Sequence, residues 1–460
     1  MRALVRLAGI AVVGIALFYA GTANGILLMR PDPLGAALVS IVVAWCLALL
    51  VWLVSGTGRG DAASTASARV RRGLRVVWLT VVVFAGIGVA MLLGVLAPAQ
   101  PDATPYHNDA IALNECAARM VLRGQNPYAS LDLFACYEEL GIGPDRTTPL
   151  RRGLFRDVTI YPNEEQLQAV WALRRSTPAE NVEFEWRPSY PALSILALVP
   201  WVRLGLDSNL LSALLLTVGI ALIVARTEGT LRPFMVTAVL GSVCLFASTV
   251  GGATDLFYAT PLLVAWLWRE RRWSAAAVGV AVSMKQLAWF VAPYYFLATL
   301  HERGWREALR RVGIAGAVFV ASNLPFVLAD AGAWFSGVAT PVLQPMFPRG
   351  LGIIALATNG AMPLPPSWLF VALEALAFAG GLIVAWVYRR RAPEVGIVLA
   401  YVPLYLAWRS LFSYFFLLPL FAAAALARMP AGALAPEHAA ESGAIALAEG
   451  PRARSLLQRA

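Results

Sequence analysis

Three uninterrupted apolar runs open the chain, at residues 7–29, 34–55 and 76–97. Each exceeds the roughly 20 residues that cross about 30 Å of hydrocarbon. A helix apolar on every side over that length suits lipid, not the surface of a soluble core, so the chain is read as an integral membrane protein. Composition agrees, with 59% of 460 residues hydrophobic and 14% charged, and a mean hydropathy of +0.66. Arg2 and Arg6 precede the first run as in a secretory signal, but the run outlasts the roughly 7–15 apolar residues of a signal h-region, and it is expected to remain as an anchor. The net charge of +10 does not point to nucleic acid, because the arginines form short clusters beside apolar runs and no single basic face.

Those clusters set the expected topology, since Lys and Arg collect in cytoplasmic connections. Arg59, Arg69, Arg71, Arg72 and Arg75 separate the second and third runs, which puts the N-terminus inside and residues 100–188 outside. Arg226 with Arg232, Arg269 with Arg271 and Arg272, the stretches 303–311 and 389–391, and Arg428 follow as further inward clusters. Outward tips are then expected at 251–255, 284–286, 341–366 and 408–410. Residues 273–300 are too long for one simple crossing and too short for two full ones, which predicts two short helices with a buried tip. Residues 190–202 are apolar but short, and are read as re-entrant or interfacial.

The resulting fold class is an all-α polytopic membrane protein of about twelve transmembrane helices. Three N-terminal helices (1–98) precede a large external loop bearing short helices (99–189). A transmembrane core (190–428) with a proline-rich external loop at 330–366 follows, and then a disordered cytoplasmic tail (429–460).

The external segment holds 13 of the 27 acidic residues, and includes His107, Asn108, Asp109, Glu115, Arg119 and the run Gly124-Gln125-Asn126-Pro127-Tyr128. Asp109 stands before a helical stretch at 110–122, where an Asp has an ordinary capping role. Its company at the other outward tips gives it a second one, because charges within a membrane are expensive and mark function or a specific partner. Asp255 follows a Gly-Gly-Ala-Thr run; Lys285, the only lysine, lies in an apolar stretch beside Gln286; Arg409 separates two apolar runs. Pairing with Asp255 or snorkelling would account for Lys285. Alternatively, Lys285 with Arg409 or Arg349 supplies the cations for a lipid phosphate. Arg187 and Tyr190 open the short apolar segment, between prolines that enforce an extended start. Cys116 and Cys136 share the external loop, and an exported loop allows a disulfide between them.

In this order, the residues resemble the GT-C superfamily of membrane glycosyltransferases, in its bacterial polyprenyl-phosphate-mannose-dependent branch. Asp109 followed by a helix and Gly124 to Tyr128 is similar to that branch's acidic residue and Gly-x-x-Pro-Tyr-like segment. Tyr190-Pro191-Ala192-Leu193 resembles its aromatic-proline segment, Arg271 and Arg272 through Gly279 to Lys285 its basic turn and lysine, and Arg409 to Tyr414 with Pro419 its late tip. The chain departs in having three helices before the loop where one is commoner, Ala192 where the pattern has a second proline, and no doubled Asp-x-Asp.

The resemblance implies transfer of a sugar, a hexose such as mannose, from a polyprenyl-phosphate donor to a cell-envelope glycolipid or polysaccharide acceptor, with inversion. Asp109 would be the general base, with His107 as the other candidate. Lys285, Arg409 and Arg349 would bind the donor phosphate. His107, Asn108, Glu115, Asn126, Tyr128, Arg187, Tyr190, Asp255 and Gln286 are the substrate-binding candidates. No metal or cofactor is expected, the partners are the lipid donor, the acceptor and the bilayer, and the site faces outward from the plasma (inner) membrane with both termini cytoplasmic. Two other classes compete: a transporter or flippase of lipid-linked sugars, expected to show duplicated halves and mid-membrane polar groups, and an O-antigen-type polymerase or ligase, expected to place Arg and His in a later external loop.

Overall fold

A computed structural model describes residues 2–55, 68–96, 109–249 and 253–429. His107, Asn108, the basic connection at 56–67, the glycines 251–252 and the tail from 430 onward lie outside the described residues. The protein is mostly helical. Six helices are long and apolar enough to cross a membrane: Arg2–Met29, Pro33–Ser55, Arg71–Gly94, Ser208–Arg226, Trp305–Ala329 and Ser367–Val387. The other apolar helices are shorter or broken, as at Arg232–Gly241 and Cys244–Thr249, Asp255–Leu267, Ser274–Val282, Leu287–Arg303 and Leu418–Arg428.

The two short helices expected within 273–300 are Ser274–Val282 and Leu287–Arg303. They run antiparallel, because the Ser274 hydroxyl meets the Tyr295 hydroxyl at 2.5 Å, and these two positions are symmetric about a tip at 284–285. Ser283 and Lys285 at that tip are buried.

The first two helices are built into the main core. Leu7, Leu17, Val43 and Leu50 pack in one buried cluster with Tyr401 and Phe421, and Ser40 Oγ hydrogen-bonds the Tyr405 hydroxyl at 2.7 Å. The layer built from the segment expected to lie outside, called the external layer for that expectation, has a core of its own, with Ile111, Phe134, Trp171 and Phe184 packed against Ala192 and Ile195 at the start of helix Leu193–Arg203. Local signals shape this layer: Asn163 and Gln166 form a capping box on Glu164–Ser176, and Cys116 and Cys136 form the disulfide, with Cα atoms 6.0 Å apart.

The basic clusters of the core meet at one end of the bundle. Arg269 pairs with Glu302 (2.6 Å) and Glu394 (3.0 Å), and Arg428 with Glu394 (3.2 Å) and Glu270 (3.0 Å). Arg226 reaches Glu270 at 3.2 Å, and Arg272 and Arg311 share Glu307. Five arginines spread over two hundred residues of sequence are thereby gathered; Arg269 and Arg311 are buried, where a charge needs a partner in place of water, while Arg226 and Arg272 lie at the exposed margin. The tip bearing Lys285 is one helix length away, about 25 Å for a helix of 17 residues.

Candidate functional site

At the opposite end from that network, the external layer closes over the hairpin tips. Residues 148–151 run extended between two neighbours. Leu150 N–H donates to the Glu183 carbonyl (2.7 Å), Glu185 N–H to the Thr148 carbonyl (2.9 Å), and Arg151 N–H to the Pro345 carbonyl (2.8 Å). Beyond them lies a two-stranded parallel sheet of β1 (Arg349–Gly350) and β2 (Arg409–Ser410), in which Arg349 is the registered partner of Arg409. Directly paired residues project from the same face of a sheet, so this register sets two guanidinium-bearing side chains side by side. Gly350 makes the close approach possible: its φ is +142°, and an added Cβ would stand 2.1 Å from the Ser410 carbonyl oxygen.

The charges around this pair are unevenly balanced. Arg349 lies 4.4 Å above the centre of the Tyr161 ring. Arg409 Nη1 donates to Met346 Sδ at 2.9 Å, and its Nε is buried without a hydrogen-bond partner. Among the described residues, neither arginine forms an ion pair. Lys285 is different: its Nζ is 2.7 Å from Asp255 Oδ1 and 3.3 Å from Thr254 Oγ1, and it sits 5.0 Å over the Tyr190 ring. Of the three cations expected to take a phosphate, Lys285 is therefore already paired, whereas Arg349 and Arg409 form no ion pair among the described residues.

Asp109 is the first residue of helix Asp109–Leu122. Its Oδ2 accepts a hydrogen bond from the Thr148 hydroxyl, and it is within electrostatic reach of Tyr161, Tyr190 and Asp255. Tyr414 in turn feels Arg409, Lys285 and Asp255. Asp109, Tyr161, Tyr190, Asp255, Lys285, Arg349, Arg409 and Tyr414 thus share one neighbourhood, drawn from seven separate stretches of sequence. Burial pushes the Tyr161 phenol above its ordinary range against the opposing pull of Arg349. Beside Thr148, burial pushes the Glu185 carboxyl up to about 7, although the Arg187 N–H, the Thr340 hydroxyl and the charges of Arg187 and Arg152 all oppose it.

Several sequence candidates have structural contacts. Glu115 is buried and held by Arg119 (3.2 Å) and by the Ser208 hydroxyl (2.8 Å). Asn126 caps Pro127–Ser130 through the Tyr128 N–H. Tyr128 is wholly buried, its hydroxyl donating to the Tyr190 carbonyl at 2.6 Å and its ring set edge-on to Phe326; it braces Tyr190 from behind. Gln286 likewise braces, donating to the Ser189 and Val338 carbonyls. Arg187 stacks on Trp186 at 4.5 Å, and its backbone N–H donates to Glu185.

Sequence reasoning passed over Thr148, Tyr161, Glu185 and Met346. Tyr161 precedes a proline as Tyr190 does, which is the one signal that marked it. Thr148, Glu185 and Met346 acquire their places only from strand pairing. No family model, curated protein or solved structure matches this chain, so the functional reading rests on the geometry of this site.

Proposed function

We propose that the protein is an integral membrane glycosyltransferase of GT-C type. It moves a sugar, a hexose such as mannose, from a polyprenyl-phosphate donor to a cell-envelope glycolipid or polysaccharide acceptor. The observation that carries this reading is the registered pair Arg349 and Arg409, which form no ion pair among the described residues and share the surroundings of Tyr161 with one carboxylate, Asp109, that begins a helix of the external layer. Two adjacent guanidiniums match a phosphate dianion, and a nearby carboxylate matches a hydroxyl that must lose its proton.

In the reaction, Asp109 accepts the proton of the acceptor hydroxyl as that oxygen attacks the anomeric carbon from the face opposite the phosphate. The bond between the anomeric carbon and the phosphate oxygen breaks, its electron pair leaves on the phosphate, and the configuration inverts. Arg349 and Arg409 stabilise the charge that grows on the leaving phosphate. The Lys285–Asp255 pair, itself neutral, holds the Tyr190 ring beside them. In this reading the short and broken helices pair with the six long ones to make about twelve crossings. The ion-pair end, rich in arginine, faces the cytoplasm together with both termini, and the site opens outward from the plasma membrane.

The test is sugar transfer in membranes from radiolabelled polyprenyl-phosphate mannose to endogenous acceptors, comparing the intact protein with Asp109→Asn. Transfer by the intact protein and a loss of roughly 100- to 10,000-fold in a folded variant is the expected result for removal of a general base. Transfer that survives the substitution discards Asp109 as base. Movement of the lipid-linked sugar across the bilayer without transfer refutes the enzyme and favours a flippase.

A further inference from the structure

We infer that Thr148 is a positioning residue for Asp109, holding Oδ2 through its hydroxyl so that Oδ1 is the oxygen presented to the acceptor. The inference rests on the glycosyltransferase reading above. A threonine hydroxyl has one proton to give, and here it is given to Asp109 Oδ2. A donor aimed at an ionised oxygen makes a charge-assisted bond, stronger than a neutral one and directional. A carboxylate on the first turn of a helix otherwise turns freely about its last torsion, which is broad for Asp.

The hydroxyl is itself fixed by backbone pairing on both sides. The Thr148 carbonyl accepts the Glu185 N–H at 2.9 Å, and Pro149 bridges Phe184. Two residues on, Leu150 bridges Met346, whose sulfur accepts from Arg409. One extended segment, residues 148–151, therefore touches the carboxylate at one end and the support of a phosphate-binding arginine at the other. It sets the spacing between the group that takes the proton and the pair that receives the leaving phosphate, and catalysis depends on such spacing to within about an ångström.

The experiment compares Thr148→Val, which keeps shape and loses the donor, with Thr148→Ser, which keeps the donor. Both are made in the intact protein and in Asp109→Asn, and read by kcat and KM for the polyprenyl-phosphate sugar. Thr148→Val is expected to lower kcat on the order of 10- to 100-fold, the span of one hydrogen bond to a charged group. KM for the donor should stay within about twofold, because such a loss belongs to the transition state and not to ground-state binding. Thr148→Ser should restore most of the rate, and in the Asp109→Asn background Thr148→Val should cost nothing further.

Unchanged kcat in Thr148→Val, a rise in donor KM at constant kcat, or Thr148→Ser behaving like Thr148→Val would each overturn the assignment while leaving the glycosyltransferase intact. If the wild-type protein transfers no sugar, the glycosyltransferase reading fails first. Thermal unfolding of wild type, Thr148→Val, Asp109→Asn and the Thr148→Val, Asp109→Asn double then shows whether the two side chains are coupled, and coupling without transfer makes the contact a structural one and overturns positioning.

Discussion

Replacing Lys285 with methionine removes a cation and strands its partner. Lys285 Nζ lies 2.7 Å from Asp255 Oδ1, with the two side chains only 7% and 4% exposed. At an effective dielectric of about 20, that separation corresponds to about 6 kcal/mol of Coulomb attraction, most of it offset by removing both groups from water. The intact pair therefore contributes little net stability, whereas either partner alone is a buried charge without compensation and costs about 3–5 kcal/mol. Thr254 Oγ1, 3.3 Å from Nζ, is too weak a partner to take the place of the carboxylate.

Three variants separate these effects: Lys285→Met, Asp255→Leu and the double substitution. Each single change is expected to destabilise by about 3–5 kcal/mol and the double by far less, a coupling of about 3 kcal/mol or more. Reversible unfolding in dodecyl maltoside micelles titrated with dodecyl sulfate, followed by tryptophan fluorescence, gives the four stabilities. Single variants within about 1 kcal/mol of wild type, or losses that simply add, would refute the premise that the two charges are buried and mutually dependent.

Three other outcomes follow from the same geometry. Because the Glu185 carboxyl rises from about 4.3 in an unfolded chain to about 7 in the fold, the folded state binds its proton more tightly. Its contribution is then fullest below pH of about 4 and falls by up to about 4 kcal/mol as pH rises to about 7. Glu185→Gln should flatten that slope in hydrogen exchange of the external layer between pH 4.5 and 7.5, and an unaltered slope would contradict the burial argument. Gly350→Ala places a methyl group 2.1 Å from the Ser410 carbonyl oxygen, so β1 should separate from β2 and donor KM should rise at least tenfold in a protein that still folds; wild-type KM would show that the strand pairing does not set the arginine pair. Denatured protein should offer two thiols, Cys46 and Cys244, to a maleimide before reduction and four after it. Cys116→Ser with Cys136→Ser should weaken the external layer by about 3 kcal/mol, as expected for a loop of this length, and four reactive thiols before reduction would show that the bond does not form.

Much of the architecture is legible in the sequence because it is local. A long apolar run is a helix in lipid whatever surrounds it, since every backbone polar group must be satisfied within the segment. The length of 273–300, set against what a crossing requires, predicts the broken hairpin, and Asp109 before 110–122 predicts where a helix begins. The six long helices and the shared end of the basic clusters follow from the same local signals. The full count of crossings does not, because short helices such as Ser274–Val282 have the length of neither a span nor a loop.

The site divides differently. Sequence alone determined which polar residues are expensive to keep, namely Asp255, Lys285 and Arg409, because the cost of a charge beside apolar neighbours depends only on those neighbours. It left open whether Lys285 was paired or free, and it offered Glu115 and Tyr128 as substrate-binding candidates with nothing to show what they touch. Only the tertiary structure decided these points, because each depends on a contact between distant stretches: Lys285 with Asp255, Glu115 with Ser208, Tyr128 with Tyr190, Arg349 with Arg409. Thr148 carries no sequence signal at all. Its hydroxyl matters through the strand register that brings it to Asp109, and register is a property of paired chains that no single segment contains.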